Sequence, residues 1–235
     1  MALPTMDLPT HELVVPSTKK KIKFRPFLVK EEKVLLMALE TENEKNIRDA
    51  VFELLKSCIS TRIKIESLAS FDLEYIFLNI RAVSVGEIVP MTITCRDDGE
   101  TQARYNLNLT EAEVTFPEGH SNKIMLSDDL GVIMRYPSFD GFVEGQFTQG
   151  KDVDIIKVVA ESIDQIFQGE EVFDESTTTK KEFIKFVEGL TNKQLEKIQA
   201  FFETSPRLEH SFKVTNPNTG VESEYTLRGL ASFFG

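Results

Sequence analysis

Tryptophan is missing from this chain of 235 residues, and histidine and cysteine are scarce, with three of the first and two of the second. Two cysteines, Cys58 and Cys95, make no disulfide framework, and a chain of this length buries a core without one. His11, His120 and His210 have no metal-ligand spacing between them. No apolar run approaches the ~20 residues that span a bilayer, and the N-terminus lacks a charged-then-apolar signal pattern. The expectation is therefore a cytosolic protein. Positive charge is also short: 27 Lys and Arg against 38 Asp and Glu leave a net charge of −11. An acidic surface repels phosphate, which argues against a grip on nucleic acid without a compensating basic patch. The only basic run, Lys19-Lys20-Lys21 with Lys23 and Arg25, follows Pro16-Ser17-Thr18 and reads as the exposed lysines of a hairpin turn.

Motifs for chemistry are missing too. There is no Gly-x-Ser-x-Gly elbow, no phosphate-cradling glycine loop and no dinucleotide fingerprint. Asp97-Asp98 and Asp128-Asp129 are carboxylate pairs, but each lies in a turn beside a glycine, where Asp is favoured for backbone reasons. Cys58 ends an apolar helical stripe and reads as a small core residue. Cys95 ends a strand with no histidine nearby in sequence. No active site emerges, so no enzyme and no cofactor is expected. Phenylalanine, by contrast, is abundant: 18, beside only 4 tyrosines. Most must fill cores, but that many rings leave scope for an adhesive surface.

The pattern of apolar residues predicts an α+β protein. After an arm over residues 1–10, Glu12 to Val15 and Lys20 to Phe27 read as two strands around a Pro-Ser-Thr turn. Three helices follow, over Lys30–Glu42, through the stripe Ile47, Ala50, Val51, Leu54, Leu55 and Cys58, and over Phe71–Ser84. A β-rich middle has hairpins Ile88–Thr94 with Thr101–Leu109 and Lys123–Leu126 with Val132–Arg135. Residues 138–150, without clear period, read as a linker or mobile loop. Helices are predicted over Val153–Phe167, Lys180–Gly189 and Asn192–Thr204, the last opened by a capping box of Thr191 and Gln194. A final hairpin, Glu209–Thr215 with Val221–Leu227, leads to a short amphipathic terminal helix. The organisation expected is a hairpin and helical unit over 1–87, a β-rich middle over 88–137, the linker over 138–150, and a helical part with its terminal hairpin over 151–235.

Two hairpins resemble each other. Ile93-Thr94-Cys95-Arg96-Asp97-Asp98-Gly99 aligns with Val214-Thr215-Asn216-Pro217-Asn218-Thr219-Gly220, and each runs on to a Tyr and a Leu, Tyr105 and Leu107 or Tyr225 and Leu227. A zinc knuckle would read Cys-x-x-Cys-Gly at these turns. Only Cys95 supplies a thiolate, since 98, 216 and 219 are Asp, Asn and Thr, so no structural zinc is expected. Gly-closed turns recur widely, so a duplication and a generic likeness both remain open.

The stretch Val15-Pro16-Ser17-Thr18 with Lys23-Phe24-Arg25-Pro26-Phe27-Leu28-Val29-Lys30-Glu31-Glu32-Lys33-Val34-Leu35-Leu36-Met37-Ala38 resembles the N-terminal signature of the T4-type bacteriophage baseplate hub assembly chaperones. Phe71-Asp72-Leu73-Glu74-Tyr75-Ile76-Phe77-Leu78-Asn79-Ile80-Arg81-Ala82 is similar to the same family, as are the final hairpin and the ending Gly229-Leu230-Ala231-Ser232-Phe233-Phe234. The resemblance is strong to about residue 115, diffuse to about 205 and then returns. Some relatives carry a zinc-ribbon-like set of cysteines at the two turns; this chain departs there, so its hairpins are held by strand pairing and packing. The resemblance implies a late phage protein that binds baseplate hub proteins while the central hub is built, in the host bacterial cytoplasm. The alternative is a permanent subunit of the hub, residing in the virion baseplate. A cell-wall hydrolase would need facing carboxylates or a catalytic metal, which the sequence does not offer. Phe142, Phe147, Leu230, Phe233 and Phe234 are the candidate partner-binding residues, with no nucleic acid, membrane or small-molecule substrate expected.

Overall fold

Alternation near the N-terminus makes an antiparallel hairpin of β1 (His11–Val14) and β2 (Lys21–Phe24), with His11 opposite Phe24 and Val14 opposite Lys21. Ile22 and Phe24 are buried while Lys21 and Lys23 stay exposed, the two faces of a half-buried strand. The strand stops at Phe24, short of the predicted Phe27. There the Arg25 N–H donates to the Cys58 carbonyl at 3.0 Å, and Pro26 has no N–H with which to continue the ladder. The computed structural model describes residues 7–41, 43–136 and 155–233.

Three helices follow: α1 (Val29–Glu40), α2 (Glu44–Cys58) and α3 (Ser70–Val85). In α2 most of the predicted stripe is core, with Ala50, Val51, Leu54, Leu55 and Cys58 buried and Ile47 half-buried. Helix α3 is buried nearly all round, including two carboxyl side chains, Asp72 and Glu74. Asp72 accepts from Ser17 N–H at 2.9 Å and from the Ser17 hydroxyl, which ties the first hairpin's turn to the start of α3. Then come β3 (Ile88–Thr94), β4 (Gln102–Asn108) and the short β5 (Glu113–Thr115).

The chain divides into two units, Met1–Thr115 with Arg207–Gly235, and Phe116–Pro206. The second unit contains a four-stranded antiparallel sheet in the order β6 (Lys123–Met125), β7 (Leu130–Met134), β8 (Ile163–Gln168), β9 (Glu171–Asp174). Its helices are α4 (Ile155–Glu161), α5 (Lys180–Glu188) and α6 (Asn192–Glu203). Val132, Met134, Val159, Ile163, Ile166, Phe183, Ile198 and Phe201 form the shared core of that unit. Thr191 and Gln194 cap α6 reciprocally, as the sequence predicts.

The chain then returns to the first unit. β10 (Arg207–Thr215) pairs with β11 (Glu222–Arg228) and with β5, and a 3-10 turn over Leu230–Phe233 follows. The architecture is α+β, with six α-helices and eleven strands among the described residues.

One expectation needs correction. The helix predicted over Val153–Phe167 is α4 followed by strand β8. Ser162 N–H and Oγ both bond to the Val158 carbonyl as the last helical contacts, and Ile163 then pairs opposite Met134 and opens a strand. A spacing of three, as from Ile163 to Ile166, mimics a helix. Here a bulge at Asp164 shifts the register between Ile133 and Met134 and brings both isoleucines to the buried side. The two units divide at Thr115 and Pro206, positions other than the boundaries expected near 87, 137 and 151. Hairpin β3–β4 belongs to the first unit and β6–β7 to the second, and β10 pairs with β5 across some ninety positions of sequence. The predicted linker 138–150 lies outside the described residues.

Candidate partner-binding surface

Helix α1 is placed by an ion pair at its entry. Arg25 donates to Glu31 through both terminal nitrogens, at 2.8 and 3.0 Å, and to the Pro26 carbonyl at 2.9 Å. Glu31 also accepts from Leu28 N–H at 2.7 Å, satisfying a donor at the helix start, and Phe27 N–H donates to Ser84 Oγ on α3 at 2.9 Å. The Arg25 guanidinium holds the Glu31 carboxyl down at about 2, with the Leu28 N–H assisting against the opposing effect of burial. Leu35 and Ala38 are the buried residues of α1. On its other side Val29 is 82% exposed, Leu36 53%, Met37 56% and Val34 54%. At 100° per residue, Leu36, Val29 and Met37 fall within an arc of roughly 100°, and Val34 flanks it. A short helix thus carries apolar side chains on the side turned away from its own core. Single exposed apolar residues are ordinary, but four on one helix with a fixed entry make a surface suited to protein contact.

The two similar hairpin turns meet in the first unit. Gly99 N–H bonds to the Cys95 carbonyl and Gly220 N–H to the Asn216 carbonyl, each at 2.9 Å, and both glycines adopt left-handed φ, 71° and 75°. The aligned positions therefore share turn geometry. Asn216 is buried, and its amide nitrogen donates to both Asp97 oxygens at 3.0 Å and to Asp98 at 2.9 Å. Thr219 donates to Asp97, Thr101 to Asp98, and Tyr225 Oη accepts from Arg96 N–H at 2.9 Å. These donors hold both carboxyls below their ordinary range. Hydrogen bonds between side chains therefore join the turns, with Cys95, Phe212, Val214 and Tyr225 packed beneath. Among the described residues no group of three or more His, Cys, Asp or Glu is placed to hold a metal ion.

The remaining chemistry-bearing groups are dispersed. Cys58 and Cys95 are both buried, and burial pushes each thiol up, away from a reactive thiolate. His11 stacks on Phe24, His120 lies between Thr204 Oγ1 at 2.9 Å and Tyr136 Oη at 3.0 Å, and buried His210 faces the Glu111 carbonyl at 3.3 Å. Asp129 is engaged by Ser127 of its own loop at 3.0 Å and by Gln168 at the end of β8 at 3.3 Å.

Of the predicted partner-binding residues, Phe142, Phe147 and Phe234 lie outside the described residues, as does the side chain of Leu230. Phe233 is 1% exposed, packed with Leu78, Leu107, Leu109 and Leu208 by the terminal 3-10 turn of the first unit. The chain matches the family described as T4 bacteriophage base plate protein over residues 8–235. It belongs to that family. No curated protein and no solved structure matches it. Membership places this base plate protein in the virion or its assembly, among other base plate proteins. No helix among the described residues is long and apolar enough to cross a membrane.

The exposed face of α1 was not singled out from the sequence, although a signal existed. Val34-Leu35-Leu36-Met37 is four apolar residues in succession, which cover the full circumference of a helix, while a helix packed on one side buries only a stripe. Some of the four had to be left outside.

Proposed function

We propose that this base plate protein is a non-enzymatic assembly chaperone of the baseplate central hub, binding hub proteins transiently in the host cytoplasm while the hub forms. Its family membership supports the setting, and the outward apolar face of α1 is the observation that carries the mechanism. Val29, Leu36 and Met37 would cover an unmatched apolar interface on a hub subunit until that subunit's permanent neighbour displaces them. Methionine and aliphatic side chains suit a temporary contact, since they repack against different partners at little cost.

Capture of tagged protein from infected cells, with mass spectrometry of the bound partners, tests the reading. The expected result is recovery of hub proteins during assembly, with the protein missing from purified virions. Recovery from virions at a fixed ratio to other base plate proteins would replace the transient role with that of a permanent hub subunit.

A further inference from the structure

The basic run in the first hairpin has a counterpart that its sequence position conceals. After α2 the chain runs back along β2: Ile59 bridges Phe24, Ser60 N–H and Oγ donate to the Lys23 carbonyl at 2.9 and 3.1 Å, and Lys23 N–H donates to Thr61 Oγ1 at 2.8 Å. These bonds fix residues 59–61 against β2, and residues 61–64 continue beside the turn of the hairpin. Between the two segments lies a groove of about 300 Å³ whose lining includes Lys20, Lys21, Arg62 and Lys64 together with the hydroxyls of Thr18 and Ser67.

All four cationic side chains are exposed, and none makes an ion pair with a described residue. Nearby lysines differ: Lys23 pairs with Glu12 at 3.6 Å and Lys56 with Glu66 at 3.1 Å. From residue 13 to residue 30 the chain has six Lys and Arg and no Asp or Glu, in a protein whose acidic residues outnumber its basic ones by 38 to 27. Like charges held side by side by a hydrogen-bonded scaffold repel one another, and no carboxylate lines the groove to offset them; Glu66, close enough to Lys64 to feel its charge, is paired with Lys56.

We infer that this groove, formed by the turn of the first hairpin and residues 61–64, is a docking site for an acidic segment of another protein. Several carboxylates spaced along a chain match cations contributed by two separate segments, and the hydroxyls add neutral donors. Single-stranded nucleic acid is the poorer fit. No aromatic ring lines the groove to stack a base. The inference rests on charge and geometry and is independent of the chaperone reading.

The test uses the full chain and a fluorescein-labelled peptide of about eight glutamates, followed by anisotropy from about 50 to about 300 mM salt. Saturable binding that weakens with salt is expected. Lys21→Glu with Arg62→Glu should weaken it about tenfold or more, and the milder Lys20→Gln with Lys64→Gln by a smaller factor. These side chains are exposed, so an unchanged melting temperature is expected for both pairs. Reversal of two exposed lysines in the other unit, Lys180→Glu with Lys181→Glu, should leave binding within about twofold of the parent. Absence of saturable binding, an equal loss in the control pair, or tighter binding of a thymidine oligonucleotide or of inorganic phosphate than of the peptide overturns the proposal.

Discussion

Helices α3 and α1 belong to one unit and treat their apolar residues in opposite ways. Helix α3 packs against α2, β5 and β10, and nine of its residues are buried, among them Asp72 and Glu74. Helix α1 packs on α2 and buries two, while Val29, Val34, Leu36 and Met37 face outward. The difference teaches that coverage, more than hydropathy, decides burial in this unit. The turn of the first hairpin, β5 and β10 cover α3 so completely that carboxyl groups are carried inside, whereas nothing from the described chain covers the far side of α1. Their glutamates register the same contrast. Burial alone pushes the Glu74 carboxyl up to about 8, while Arg25 holds Glu31 down at about 2.

The covered side is tested first at Phe233, part of the packing shared with Leu78 of α3. Phe233→Ala should cost ~3–5 kcal/mol of stability, as a buried Phe truncation does. Denaturant unfolding measures it. A loss under about 1 kcal/mol would show that the ring is not held in the core and would return the C-terminus to the list of binding surfaces.

Glu74→Gln should have the next largest effect, and in the opposite direction. With a folded-state value of about 8, this carboxyl stays protonated in the native protein while the unfolded chain ionises above the ordinary value of 4.5. Native stability therefore falls as pH rises from 4.5 to about 8 and levels off beyond. Glutamine does not titrate, so the variant's advantage should grow across that window to about 2–4 kcal/mol. Unfolding curves at intervals from pH 4 to pH 9 check the slope; parallel curves for the two proteins would mean that Glu74 finds a charged-state partner.

Glu31 gives the smaller and mirror-image case. Its folded value lies below 4.5, so its contribution is fully present above pH 4.5 and is lost as pH falls through about 2. Glu31→Gln should cost ~1.5–3 kcal/mol at neutral pH by removing the charged partner of Arg25. The gap from the parent should close toward pH 2, read from melting temperatures in that range.

What the sequence revealed of this fold was local. The α2 stripe, the Thr191–Gln194 cap and the two Gly-closed turns each follow from interactions within a few residues, and each is present. The return of β10 to β5 escaped because a three-residue strand, Glu113–Thr115, has no pattern of its own and exists through a partner some ninety positions away. Strand β8 passed for helix because its bulge is set by pairing with β7. The burial of Phe233 was hidden for a related reason. Phe233 and the α1 residues are similarly apolar, and only the tertiary fold decides which are covered.

The last prediction sets the two sides of the contrast directly against each other. Leu36→Gln with Met37→Gln keeps side chains of similar helix propensity, removes apolar area from the outward face of α1, and leaves Leu35, Ala38 and the Arg25–Glu31 pair intact. Since both residues are more than half exposed, the double variant should unfold within about 0.5 kcal/mol of the parent. Its capture of base plate proteins from infected cells should nevertheless fall about tenfold or more, because a few central apolar residues dominate such interfaces. Lys33→Gln, on the same side of the helix but polar from the start, is the matched control and should capture normally. A folded double variant that still binds its partners removes α1 from the interface, whereas a large loss of stability would mean that α1 is covered by chain beyond the described residues. Normal stability with lost capture is the one combination that assigns the uncovered face of α1 to a partner.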